Sequence, residues 1–205
     1  MTTPHRRARR MAPAQRRAAI IEAARPLVMR HGSAVTTRQI AEACGIAEGT
    51  IFRVFPDKES VVHAVVAEVF DPAPTLRALA AVDRGLPLRA RLVAATAVLQ
   101  ERLSDVFGLL DVLGWFRPPE PEEVEQRSQL PAAVNDALRA AIADIVGPDE
   151  HLLRVPAPEL AHVLRLLTFA GTHPKISDGR LLAPEQIVAV VLDGLATTTT
   201  EDAPC

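Results

Sequence analysis

The chain has no tyrosine, one tryptophan and six phenylalanines among its 205 residues. Strand-rich cores lean on aromatic and β-branched residues in alternating order, so this composition argues against a β fold. Only two cysteines occur, Cys44 and Cys205. They form no metal-ligand spacing, and a disulfide between them is not expected in reducing surroundings. Cys44 reads as a small packing residue. No run approaches the roughly 20 apolar residues of a membrane helix, and the opening MTTPHRRARR lacks the apolar centre of an export signal. The expected location is the cytoplasm, with no membrane partner. Catalytic signatures are missing as well: the six histidines show no HExxH spacing, and neither GxSxG nor a phosphate-cradling glycine loop occurs. The expectation is therefore no enzyme, no catalytic residue, no metal and no cofactor. Lysine is nearly absent, with Lys58 and Lys175 against twenty-one arginines. Alongside abundant alanine and proline, that bias fits GC-rich coding.

What the chain does have is charge asymmetry and helical periodicity. Its net charge is only −2, but residues 1–60 hold eleven Arg or Lys against five Asp or Glu, a net of +6. Residues 61–205 hold twelve against twenty, a net of −8. A basic head on an acidic body is expected when one end meets phosphate. Apolar residues recur at a 3.6-residue period throughout, so the fold class is all-α. The pattern predicts helices over 14–31, 58–70, 74–83, 87–105, 106–116, 131–147, 157–172 and 184–198. Pro26 should kink the first of them. The polar segment 117–130 reads as an exposed loop or short helix, and 173–183 as a long connection.

Residues 36–59, TTRQIAEACGIAEGTIFRVFPDKE, carry the densest signal. Thr36 is a natural N-cap, and Gln39 three residues on completes a capping box. Ile40, Ala41 and Cys44 recur at helical spacing, and Gly45 ends the helix, since glycine takes the left-handed conformation cheaply. A second short helix, roughly 48–54, follows with Ile51, Phe52 and Phe55 as its apolar residues. Two short helices joined by a glycine turn are the geometry that presents a recognition helix to the major groove.

The same stretch resembles the DNA-binding domain of TetR-type transcriptional regulators. The likeness runs from about Arg16 to Val66 and includes Ala23, Ala24, Gly32, Ile40-Ala41, Gly45, Gly49-Thr50, Phe55 and Lys58-Glu59. It implies an N-terminal three-helix helix-turn-helix DNA-binding domain over 14–57, preceded by a basic arm, 1–13. A C-terminal helical ligand-binding and dimerisation domain spans 58–198, with a tail at 199–205. By resemblance, Thr50 and Arg53 face DNA. Arg53 suits guanine or a phosphate, Thr50 a phosphate or the thymine methyl group. Gly49 permits close backbone approach. Thr36, Thr37 and Arg38 open a helix whose free amides favour phosphate, and Lys58 approaches from the other side. Three positions depart from the family pattern. Ala47 stands where a capping Ser is common, Glu48 replaces a frequent Lys but can accept from cytosine N4, and Phe52 replaces a frequent Tyr. Arg6, Arg7, Arg9 and Arg10 form an arm suited either to an adjacent minor groove or to nonspecific attraction.

In the body, Leu160, Val163, Leu164 and Leu167 stripe one helix, and Ile187, Val190, Val191 and Leu195 another. The resemblance implies that these two helices pair with their counterparts in a homodimer, with His162 and Arg165 at its rim. Leu99, Leu103, Phe107, Leu110, Trp115 and Phe116 include three of the seven aromatic residues and read either as core or as the wall of an apolar cavity. His63, Gln100, Thr168 and His173 are the polar candidates beside it. The whole reads as a homodimeric repressor that binds double-stranded palindromic DNA at the nucleoid and is released by a small apolar effector. The competing reading is a helical sensor or interaction module with only nonspecific DNA binding.

Overall fold

Local capping chemistry sets the first helix boundaries in the computed structural model, which describes residues 12–114 and 132–195. The arm arginines, Trp115, Phe116, the segment 117–130 and the tail 199–205 lie outside the described residues. Gln39 Oε1 accepts from the Thr36 amide at 2.9 Å, and Thr36 Oγ1 accepts from the Gln39 amide at 3.2 Å. This is the predicted capping box, and it opens α2 (Thr37–Cys44). Gly45 closes α2 in the left-handed conformation, φ 64° and ψ 33°. The Ile46 amide then returns to Ala41 O at 3.0 Å, so the carbonyls at the helix end are used. Before it runs α1 (Pro13–His31), continuous through the exposed Pro26. After it come α3 (Glu48–Ile51) and α4 (Lys58–Phe70). The body holds α5 (Ala73–Ala80), α6 (Leu88–Val112), α7 (Ala132–Val146), α8 (Ala157–Thr172) and α9 (Pro184–Leu195). No strand occurs among the described residues, and no helix there is long and apolar enough to cross a membrane.

Two differences from the sequence expectation concern helix ends. The predicted helices 87–105 and 106–116 are one 25-residue helix, α6. Gly108 lies within this continuous helix, and a Cβ there would meet Met29 Cε at 3.3 Å. The missing side chain leaves room for α1's methionine at a helical position where glycine costs roughly 1 kcal/mol. The second difference is α3, which keeps only Glu48–Ile51 of the expected 48–54. Turn bonds replace its last residues, with the Val54 and Phe55 amides both reaching Ile51 O at 2.9 Å.

The described residues form two compact units, one of 12–70 with 108–114 and one of 71–107 with 132–195. In the first, α1 packs on α2 and α4, and α2 on α3. Ile20, Ala24, Val28, Ile40, Ile51, Phe55, Val61 and Val65 are buried there. The Arg17 guanidinium sits 4.3 Å from the centre of the Phe55 ring, a cation–π contact. Because α4 buries Val61, Val62 and Val65, it belongs with the head, and the boundary read at 57/58 falls inside this unit.

In the second unit, α8 packs on α7 and α9, and α5 on α7. Its core joins Leu92 and Leu99 of α6, Ile142 of α7, Leu160 and Leu164 of α8, and Ile187 and Val191 of α9. Buried threonines satisfy themselves locally. Thr96, Thr168 and Thr172 each donate to the carbonyl four residues back, at 2.6 to 2.8 Å, a bond that neutralises a hydroxyl inside an apolar helix face. Arg91 is 2% exposed and pairs with Asp149.

Candidate nucleic-acid interface

The turn between α2 and α3 divides the recognition segment by exposure. Ile51 and Phe55 are fully buried, while Phe52 is 51% exposed and Arg53 is exposed beside it. A four-residue helix turns Phe52 away from Ile51, so the ring lies on the surface, on the side the resemblance assigns to DNA. Thr50 is half-buried, and its amide returns to Ala47 O at 2.8 Å. Ala47 caps α3 without a side-chain bond, the expected result of having no hydroxyl there.

Gly49 shows no internal reason to be glycine. A Cβ built there meets nothing within 4 Å among the described residues, and its φ lies outside the positive range. Gly32 and Gly45 both have positive φ instead.

The remaining candidates are partly engaged with one another. The Thr37 hydroxyl donates to Glu48 Oε1, a short bond linking the start of α2 to the start of α3. Arg38 Nε donates to Glu42 at 3.0 Å, and both side chains are largely exposed. Such a surface pair contributes little and can be exchanged for a phosphate. Lys58 Nζ donates to Ser33 O at 2.7 Å, so its ammonium also ties α4 to the short turn after α1. Asp57 Oδ1 accepts from the Ser60 amide at 2.7 Å. Hydrogen bonds to Ser60 hold its carboxyl below the usual range. Burial pushes the half-buried Cys44 thiol up from its ordinary value.

The residues read as a cavity wall divide between the units. Leu99, Leu103 and Phe107 belong to the second, Leu110 to the first, and Leu99 lies in the second unit's core. Phe107 meets Phe169 edge-on with ring centres 5.1 Å apart, and His173 at 4.6 Å. Of the polar candidates, Gln100 Nε2 donates to Leu182 O at 2.8 Å and Thr172 Oγ1 at 3.2 Å. Thr168 is spent on Leu164 O, His173 Nδ1 accepts from the Lys175 amide at 3.2 Å, and His63 is exposed in the first unit.

The apolar stripes of α8 and α9 also need correction. Leu160, Leu164, Ile187 and Val191 are buried within their own chain. Among the stripe residues whose burial is described, Val190 is the exposed one, at 61%. The outward apolar residues of α8 are Leu166 and Phe169, which sequence reasoning missed. The available signal was their spacing: 162, 166 and 169 share a face opposite 160, 164 and 168, and a helix apolar on two faces is covered on two sides. Arg165, read as a rim residue, instead donates to Asn135 Oδ1 of α7 at 2.5 Å. Its guanidinium is pushed below its ordinary value by burial and then by Arg139.

Residues 20–65 match the family described as bacterial regulatory proteins, tetR family. No curated protein matches the chain. Among solved structures, a Mesorhizobium loti protein described as a TetR-family transcriptional regulator superposes with a TM-score of 0.63 at 15% identity, covering 91% of this chain and all of the other. A transcriptional regulator from Cytophaga hutchinsonii gives 0.60 at 15% identity, with 88% and 98% covered. A TetR-family regulator from Agrobacterium tumefaciens gives 0.56 at 18%, with 91% and 100% covered. At these identities the likeness is one of fold.

Proposed function

We propose that this chain, a member of the TetR family of bacterial regulatory proteins, is a DNA-binding transcriptional regulator that reads a palindromic operator as a homodimer and represses until a small apolar ligand releases it. The observation that carries the reading is Gly49. Neither its backbone angle nor its neighbours require a missing Cβ, and it costs helix stability at an exposed position. Close approach to an external backbone or base accounts for it. Beside it in α3 stands the half-buried Thr50, followed by the exposed Phe52 and Arg53 in the turn, with the exposed Arg38 at the start of α2. Arginine can grip guanine O6 and N7 or a phosphate.

Dimerisation is supported by the exposed Leu166 and Val190 on α8 and α9. One short reading helix holds DNA weakly, and a twofold partner supplies the second half-site. The effector reading is supported by the Phe107, Phe169 and His173 rings. A ligand there acts by preferring one of two head arrangements.

Selection of binding sites from a randomised duplex pool tests this reading. The expected outcome is an enriched palindrome with half-sites one helical turn or more apart, lost when Thr50 and Arg53 are both changed to Ala. Binding without enrichment that fades as salt rises is backbone attraction alone, and it would establish the sensor-module reading instead.

A further inference from the structure

We infer that Thr37 is a positioning residue that aims the Glu48 carboxylate at a cytosine, so that the pair forms one specificity element; the inference rests on the reading of α3 as the recognition helix. A carboxylate at the start of such a helix is an awkward choice. Lowered toward DNA, it meets a phosphate-walled groove that repels it, and it loses water unless a donor replaces it. In the major groove cytosine offers the N4 amine, while guanine offers only acceptors at O6 and N7, and thymine O4 accepts. Adenine has a donor at N6 but sets the N7 acceptor beside it. An aimed carboxylate therefore favours cytosine and rejects guanine and thymine.

The chain supplies the aim. The Thr37 hydroxyl donates to Glu48 Oε1 from eleven residues away, across the turn between α2 and α3. That bond occupies one carboxylate oxygen and leaves Oε2 to accept from a base. Thr37 is half-buried and Glu48 exposed, so the carboxylate is held from the protein side while it stays open to solvent. The α2 cap is independent of the pair, because the capping box uses Thr36 and Gln39. A hydroxyl spent on Glu48 is also not donating to a phosphate, the role its helix-start position suggests.

The test is selection of sites from a randomised duplex pool by the full chain, followed by titration of single-base variants of the selected site. The expected wild-type result is cytosine at one position in each half-site. Thr37→Val should lower the preference for cytosine there by about tenfold, the scale of one good base contact, while other positions keep theirs. Thr37→Ser, which restores the hydroxyl, should recover it. Glu48→Gln should move the preference toward adenine, since an amide both donates and accepts. A circular-dichroism melt of each variant monitors the fold. If Thr37→Val weakens every duplex by one common factor and leaves base preferences intact, Thr37 is a phosphate contact and the inference fails. It fails equally if the chain is selective but no position changes preference in Glu48→Gln. No preference at any position would instead sink the reading of α3 itself, and this inference with it.

Discussion

A methyl group built on Gly32 would stand 2.6 Å from the carbonyl oxygen of Val112, the last residue of α6. The backbone at Gly32 has φ 56° and ψ −135°, a region that side chains avoid. Both conditions exclude any other residue. Gly32→Ala should therefore lower stability by about 2–4 kcal/mol, from backbone strain and the contact together. Urea unfolding of the full chain checks this. A loss under about 0.5 kcal/mol, the scale of an ordinary surface change, would mean that the turn relaxes freely.

Gly49 should behave in the opposite way. With open space around its missing Cβ, Gly49→Ala should raise stability by about 0.5–1 kcal/mol through the restricted unfolded chain. Affinity for the selected operator should fall by about tenfold, or ~1.4 kcal/mol. Melting and binding are measured on the same preparation. A stabilised variant with unaltered affinity removes Gly49 from the interface.

Asp57 gives a pH signature. Its folded pKa lies below the ordinary carboxylate value because Ser60 donates to it, so the ionised carboxylate is favoured by folding. That contribution is present above the unfolded pKa of about 3.9 and disappears as pH falls through the folded value. The melting difference between wild type and Asp57→Ala should stay constant above about pH 5 and shrink below about pH 4. A gap unchanged to the lowest pH at which the fold survives would assign the effect to something other than charge.

Surface and core apolar residues on α8 and α9 predict different failures. Val190→Asp changes an exposed residue and should leave the fold intact while shifting sedimentation from dimer to monomer. Leu164→Asp places a charge in a fully buried site and should abolish folding. If Val190→Asp remains dimeric, the interface lies elsewhere.

The sequence was most legible where structure is local. The Thr36 cap and the left-handed Gly45 follow from side chains within three residues of the backbone they serve. Features set by distant partners were not readable. The boundary expected at 105/106 is absent, and α6 runs through it to Val112. Leu160 and Leu166 are both apolar residues of one helix, and only packing shows that the first is core and the second surface. The Thr37–Glu48 bond crosses a turn whose geometry periodicity does not encode. Arg91 is buried against Asp149, a pairing across 58 residues that helical spacing does not encode.

The unbroken α6 spends Leu92 and Leu99 on the core of one unit and Leu109 on the other. Each helical residue advances the chain about 1.5 Å and turns it about 100°. A single deletion between Leu92 and Leu99, which share one unit's core, would swing Leu92 more than a quarter-turn off its seat while Leu99 stays home. Along this stretch, substitutions can be absorbed one at a time, but insertions and deletions cannot. Residue spacing, more than residue identity, is what descendants of this chain must keep.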